Sequence, residues 1–300
     1  MGKVNVNPEK ITVSGMSAGA QMAHQLHMAY PEVFSGAGLL AGGPFGCANG
    51  SLVTAMERCM GSVKAEMPVP EFIKNIRKAS ADGKLGDTGL LADDRVWIFH
   101  GALDTIVAPE LGQASATIYT AFIQPEQVDY IDDVKAAHTF PTVDKGSDCD
   151  KTEAPFIGNC NYDAVGKLLQ QLYGKLIPPT DIEPANLIQV ELPGGTDAGL
   201  LNSAYLYMPQ VCKAKGQACK MHLVLHGCGQ SSAQIDKVFI QQSGYLPWAE
   251  SNNIVLAFPQ VTPAAVNPLA CWDWWGYTGV DYRWRNGLQM QLLVEWLQQL

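Results

Sequence analysis

Positive charge is scarce in this chain: 20 lysines and arginines stand against 29 aspartates and glutamates in 300 residues, a formal net charge of −9. Binding a phosphate backbone needs clustered cations, and none cluster here, which excludes nucleic acid as a partner. Long apolar runs are also missing, as is a basic amphipathic helix, so the chain is expected neither to span a membrane nor to lie on one. No C-x-x-C pair and no paired Cys/His spacing occurs, so no metal site is expected. Apolar residues, by contrast, make up 47% of the chain. That is enough for one large core, and a single domain over residues 1–300 is expected.

Cysteine is present in an even number, at 47, 59, 149, 160, 212, 219, 228 and 271. Six of these fall as close neighbours within loop-like segments, which reads as loop stapling. The expected pairs are Cys47–Cys59, Cys149–Cys160, Cys212–Cys219 and, by elimination, Cys228–Cys271, although sequence alone leaves about a hundred connectivities open. Oxidised cysteines imply a secreted protein. No leader is visible ahead of Met1-Gly2-Lys3, and one is expected to have been removed.

The stretch Lys10-Ile11-Thr12-Val13-Ser14-Gly15-Met16-Ser17-Ala18-Gly19-Ala20 reads as a strand, then G-x-S-x-G, then a helix through Gln21 to Leu26. That is the context of a nucleophile elbow. A serine on so sharp a turn needs neighbours without a β-carbon, which Gly15 and Gly19 supply. The helix start aims free N–H groups at the place where an oxyanion would form on attack by Ser17. An ordinary glycine-flanked turn is the bland alternative.

Further along, Arg95 to Phe99 reads as a parallel strand buried on both faces, followed by His100-Gly101-Ala102-Leu103-Asp104. A helix from Pro109 to about Ile123 and a strand over Val128 to Ile131 lead to the loop carrying Ala137-His138-Thr139. Ser17, Asp104 and His138 thus occur in the order nucleophile, acid, base, each after a strand, which is the order of α/β-hydrolases. Asp93, Asp94, Asp132 and Asp133 rival Asp104, and His24, His27, His100, His222 and His226 rival His138. Asp93 and Asp94 precede their strand, and His24, His27 and His222 sit within a helix or strand, which suits packing better than catalysis.

The segment from Phe45 to Leu91 reads as irregular, with one helix near Glu71 to Ser80. A helix over Asp163 to Leu176 precedes the proline-rich Ile177-Pro178-Pro179. Leu187–Leu192 and Ala204–Met208 form a hairpin-like pair, Met221–Leu225 a buried strand ending in His226-Gly227-Cys228-Gly229-Gln230, and a long helical region to Glu250 precedes a strand at Ile254. The closing helix, Gly287 to Leu300, places Leu288, Leu292, Trp296 and Leu300 on one line. In a hydrolase of this kind an H-G-x-G-like turn normally precedes the elbow. Here it follows. With residues 4 to 10 read as a loop entering the elbow strand, the expected fold is a circularly permuted α/β-hydrolase: a mostly parallel central sheet with helices on both faces. The old ends join near residues 177–186.

These pieces, with Val6-Asn7-Pro8, Ala41-Gly42-Gly43-Pro44, Asn159-Cys160-Asn161-Tyr162-Asp163 and Cys271-Trp272-Asp273-Trp274, resemble the circularly permuted, single-domain poly(3-hydroxybutyrate) depolymerases of fungal type. The resemblance implies a Ser-His-Asp triad at Ser17, His138 and Asp104, oxyanion donors at the N–H groups of Ala18 and Cys228, and a substrate-facing tryptophan at Trp274 or, second, Trp272. It implies a secreted, monomeric carboxylic ester hydrolase acting on the polyester or its oligomers, with no cofactor and no separate substrate-binding domain. Alanine at 18 departs from the serine of fungal relatives, without consequence if only its N–H is used. Trp275, Tyr277, Tyr282 and Trp284 read either as core or as a surface adhering to polymer. Esterases of feruloylated or acetylated xylan, hydrolases of polylactide or terephthalate polyesters, and a silent binding protein on the same scaffold are the alternatives.

Overall fold

The computed structural model describes residues 6–61, 67–214 and 218–300. In chain order its elements are β1 (Val6–Met16), α1 (Ala18–Ala29), β2 (Gly36–Leu40), α2 (Leu52–Arg58), α3 (Val69–Ala81), β3 (Arg95–Phe99), α4 (Pro109–Tyr119) and β4 (Val128–Ile131). Then come β5 (Phe140–Thr142), β6 (Ser147–Asp148), β7 (Ile157–Asn159), α5 (Ala164–Tyr173), β8 (Leu187–Glu191), β9 (Leu200–Tyr207) and β10 (Cys219–Leu225). The chain ends with α6 (Ser232–Ile235), α7 (Val238–Gln242), α8 (Tyr245–Asn252), β11 (Ile254–Val261) and α9 (Leu288–Gln299).

Eight strands form one sheet in the order β4-β3-β2-β1-β10-β11-β9-β8. The six from β4 to β11 are parallel, and β9 and β8 add an antiparallel edge. The strand that comes first in the chain therefore lies in the interior. Successive strands step away from β1 on one side, whereas β10 and β11 occupy its other side. The crevice at the carboxyl ends of β1 and β10 is the kind of switch point where open α/β sheets hold ligands.

Strand alternation divides the core. Val13, Leu39, Val96, Ile98, Leu223 and Val255 face the layer of α1, α3, α4 and α9; Leu40, Trp97, Phe99, Val224, Leu256 and Phe258 face α5, α7 and α8. Helices thus cover both faces, the α/β-hydrolase arrangement, and period-two alternation explains why the inner strands read as unbroken apolar runs. A small sheet, β5-β7-β6, stands beside it.

Polar residues interrupt this core in one ordered chain. Tyr245 donates to Ser14 Oγ at 2.6 Å, Ser14 to His222 Nε2 at 2.7 Å, His222 Nδ1–H to Thr12 Oγ1 at 2.6 Å, and Thr12 to the Tyr173 hydroxyl at 2.6 Å. Tyr173 ends the chain by donating to the carbonyl of Met221 at 2.8 Å. That last acceptor has no proton to give, so one direction satisfies every member and fixes the tautomer of His222. His222, despite its serine partner, is sealed from any substrate.

Several expectations are corrected. Residues 6–10 extend β1 rather than forming a loop, with an irregularity in its pairing to β10 between Val6 and Ile11; residues 4 and 5 lie outside the described part. The stretch 45–91 holds a second helix, α2, and a 3₁₀ turn at Thr88–Asp93. The helical region to Glu250 is three short helices, because Asp236 at φ 50° and Gly244 at φ 92° break it. The buried side of α9 is Met290, Leu293, Val294, Trp296 and Leu297, while Leu288 is exposed: 3.6 residues per turn carries a strict every-fourth line off the core-facing side. The cysteines, by contrast, pair as expected: 47–59, 149–160, 212–219 and 228–271. Among the described residues no helix is long and apolar enough to cross a membrane.

Acid tests this packing. Burial lowers His24 and His222 from the usual 6.5 to about 3, and His226 to about 4. The unfolded chain takes up these protons near pH 6.5 and the folded chain does not. Stability should therefore be complete above about pH 6.5, fall by roughly 1.4 kcal/mol per group per pH unit below it, and level off near pH 3 to 4. Thermal unfolding between pH 7 and 4 checks the slope, and an unchanged midpoint over that range would contradict it.

Candidate active site

Ser17 sits between β1 and α1 with φ 55° and ψ −117°, a conformation rare outside glycine. Such strain costs about 1–3 kcal/mol and persists only where the surroundings over-determine it. They do here. The Ser17 N–H donates to Leu40 O on β2 at 2.8 Å, and its carbonyl accepts from the N–H of Gln21 at 3.1 Å. A β-carbon on Gly15 would lie 2.3 Å from the Gly19 carbonyl carbon and oxygen, so the turn closes on itself. One on Gly19 would strike the Leu225 and His226 carbonyls at 2.4 and 2.5 Å. The second glycine thus admits β10 rather than relieving the elbow internally.

Acid and base come from loops locked to each other. Ala102 and Leu103 donate to the carbonyls of Val134 and Ala136 at 2.8 and 3.0 Å, and a β-carbon on Gly101 would stand 2.2 Å from Ala136 O. In that contact Asp104 Oδ2 lies 2.7 Å from His138 Nδ1, and His138 Nε2 lies 3.0 Å from Ser17 Oγ. Asp104 Oδ1 accepts the N–H groups of Ile106 and Val107, each at 2.9 Å. Burial raises the Asp104 carboxyl, but hydrogen bonds from His100 and His138, the His138 charge and the Val107 N–H outweigh it and hold the carboxyl well below the usual range. An ionised acid facing Nδ1 requires the proton there, which frees Nε2 to accept from Ser17.

The rivals lie elsewhere. His24 and His27 are buried under α1; His24 stacks on Tyr119, and His27 Nε2 meets Asp94 at 3.0 Å. His226 is buried, with Nδ1 at its own turn and Nε2 accepting the N–H of Val261 at 3.2 Å. His100 touches Asp104 but not Ser17.

Across from His138 lies the turn after β10. Gly227 N–H donates to Gln230 Oε1 at 2.7 Å, Gly229 N–H donates to Leu269 O at 2.7 Å, and Cys228 is bonded to Cys271. Among the described residues the Cys228 N–H has no partner, and Ala18, as the first residue of α1, has none within its helix. Both residues line, with Ser17 and His138, a largely apolar cleft of about 390 Å³.

Trp274 is 8% exposed and forms part of that cleft, as does Trp275. Trp272 does not: it is fully buried, packed on His226 with ring centroids 5.4 Å apart, and belongs to the core. Asp273, between the two tryptophans, accepts from the N–H groups of Trp275, Gly276, Tyr277 and Thr278 at 2.6–3.2 Å and so folds the chain that follows Trp274. Residues unmarked by any motif complete the cleft: Leu52 and Met56 of α2, Thr152, Phe156 and Gln230. Gln230 Nε2 also donates to the carbonyls of Pro155 and Phe156 at 3.0 and 3.1 Å, joining the two walls. Its place two residues after Cys228 was the one available signal.

The esterase PHB depolymerase family model matches residues 2–136. A polyhydroxybutyrate depolymerase of Talaromyces funiculosus is 33% identical over 99% of this chain and 91% of its own length. The chain belongs to the esterase PHB depolymerase family. A family relative from Delftia acidovorans, a poly(3-hydroxybutyrate) depolymerase, is 38% identical over 96% of this chain, which spans 58% of that protein's length. The crystal structure of the PHB depolymerase from Penicillium funiculosum superposes with a TM-score of 0.92 at 32% identity, covering 99% of this chain and 97% of that one. A PHB depolymerase complexed with an R3HB trimer gives 0.93 at the same identity.

The Cys228–Cys271 bond ties the turn after β10 to the segment that carries Trp274 and Trp275. Replacing both cysteines by serine should cost about 4 kcal/mol of stability for a 43-residue separation and also lower kcat on a soluble ester. The same change at Cys212 and Cys219, separated by 7, should cost about 2–3 kcal/mol and leave kcat alone. Thermal melts and site-titrated kinetics of the two variants check this contrast.

Proposed function

We propose that this chain is a secreted serine hydrolase cleaving the ester bonds of poly(3-hydroxybutyrate) or its oligomers. The relay Ser17–His138–Asp104, opening on an apolar cleft beside two unpartnered N–H groups, is the observation that carries the reading. Ser17 Oγ attacks the ester carbonyl carbon while its proton passes to His138 Nε2, and the Ala18 and Cys228 N–H groups hold the resulting oxyanion. Collapse expels the alcohol end of the chain, protonated by His138. Water, giving one proton to His138, then attacks the acyl carbon; collapse breaks the bond to Ser17 Oγ, which takes that proton back from His138, and the acid leaves.

The cleft's rim supports a polymeric substrate. Leu52, Met56 and Leu269 are 56–58% exposed and Ile106 is 37% exposed at its mouth, with exposed Val53 alongside on α2. Contiguous exposed apolar side chains mark a binding surface. Of the four aromatics read either as core or as an adhering surface, Tyr282 is buried and Tyr277 and Trp284 do not line the cleft, so only Trp275 joins this rim. Four disulfides support an oxidising, extracellular setting. A single permuted domain is supported by one sheet that unites residues before and after 177–186, and by that stretch's ties to α8: Ile177 N–H donates to Asn252 Oδ1 at 2.9 Å.

Acetylxylan and feruloyl esterases are also related, at 29–33% identity, but over only 37–38% of this chain. Polyester film and feruloylated xylan offered side by side should yield hydroxybutyrate monomers and oligomers from the film, and little from the xylan; the reverse would move the chain to the xylan esterases. Ser17→Ala should abolish film clearing with the thermal midpoint kept or slightly raised, since alanine removes no bond the elbow needs. Trp274→Ala should raise KM for hydroxybutyrate trimers by about tenfold, as for loss of a buried aromatic contact of 1–2 kcal/mol. Trp272→Ala should instead lower stability by about 3–5 kcal/mol.

A further inference from the structure

A second imidazole is sealed against the acid. His100 follows β3 directly and is fully buried, with Nε2 2.7 Å from Val107 O and 3.4 Å from Asp104 Oδ2. A carbonyl oxygen can only accept, so Nε2 carries the ring proton. Nδ1 has no hydrogen-bond partner among the described residues and packs on α4, where a β-carbon at Gly112 would come within 2.6 Å of it. His100 therefore has no basic nitrogen facing the cleft, and no contact with Ser17 through which to act as a base.

We propose that His100 is a positioning residue for Asp104: its Nε2–H anchors the turn 104–107 through Val107 O and stands as a second donor beside the oxygen that receives His138. The proposal rests on the reading of Ser17, His138 and Asp104 as a triad. Two observations join in it. The turn that His100 holds is the one whose Ile106 and Val107 N–H groups grip Asp104 Oδ1, so both carboxylate oxygens depend on the same anchor. Oδ2 is shared by two N–H donors, His138 at 2.7 Å and His100 at 3.4 Å, the shorter contact being the full hydrogen bond and the longer an electrostatic one. His100 and His138 are the titratable groups that act on Asp104. The residue thus limits how far the carboxylate can rotate when His138 becomes an imidazolium, and draws off part of the charge that His138 would otherwise feel.

Three substitutions separate this role from mere filling of space. His100→Leu keeps the volume and removes the donor. His100→Gln returns an N–H near the Nε2 position, and His100→Asn returns one near Nδ1, facing Gly112. Activity on a soluble ester, counted per active site titrated with an organophosphate, should fall about ten- to a hundredfold in kcat for Leu and Asn, with KM nearly kept, well short of the ~10⁴-fold loss from disabling the acid. The acid limb of kcat/KM should move to higher pH in the Leu variant, because an Asp104 relieved of one donor keeps more of its charge for its other partner. Gln should restore both. Gly112→Ala, which presses on Nδ1 from α4, should reproduce the kcat loss in part, and serves if the Leu variant does not fold. Unchanged kcat per titrated site and an unmoved acid limb in His100→Leu, or equal loss in Leu and Gln, would overturn the proposal. Turnover by Ser17→Ala, measured in parallel, would instead overturn the triad reading on which it rests.

Discussion

A single close approach organises this molecule: the backbone at Gly19 lies so near the end of β10 that no β-carbon fits between them. That contact brings the elbow of β1 and the His226–Gln230 turn together although they are more than 200 residues apart in sequence. It brings Ala18, the first residue of α1, and Cys228 to the same cleft as Ser17, each with a backbone N–H that has no partner among the described residues. Unsatisfied donors are costly where water is excluded, and a site that gathers charge on oxygen during reaction is where that cost becomes useful. The strained φ of Ser17 belongs to the same constraint, since the hydroxyl reaches the cleft only if the turn is this tight.

A second contact, between the Gly101 and Ala136 segments, does for Asp104 and His138 what the first does for Ser17 and the turn after β10. The two loops are bonded to each other by backbone contacts separate from that between Asp104 and His138, so the imidazole is aimed by backbone rather than by its own side-chain bonds alone. Cys149–Cys160 and the Thr152 hydroxyl, which accepts the His138 N–H at 3.1 Å, hold the far side of the base loop. Preorganisation of this kind is where enzymes find much of their rate.

How legible this was in the sequence depended on whether the signal was local. G-x-S-x-G between a strand and a helix marks Ser17 because the sterics of the turn are written in adjacent residues, and β3 matched its apolar run from Arg95 to Phe99. Asp104 and His138 followed from their order after successive strands together with the matching family motifs. Of the two tryptophans that the resemblance offered, the first choice, Trp274, lines the cleft and the second, Trp272, is buried against His226, a contact with a segment more than forty residues away that no local pattern announces. Phe156 and Met56 stayed hidden because their residue types are ordinary and no local pattern places them at the cleft, and Gln230, though part of the His226–Gln230 turn, reaches Pro155 and Phe156 across a long stretch of chain. The helical region before Glu250 broke at positions whose φ the sequence only half announces, Gly244 plainly and Asp236 not at all.

The central claim is that Ser17 becomes covalently acylated during turnover, and trapping that species tests it most directly. A soluble hydroxybutyrate ester mixed with the enzyme and quenched in acid within milliseconds, then digested and analysed by mass spectrometry, should yield a hydroxybutyryl adduct on the peptide carrying Ser17, formed and lost at rates compatible with steady turnover. Hydrolysis proceeding with no adduct on that peptide, or with the acyl group on another residue, would contradict the account.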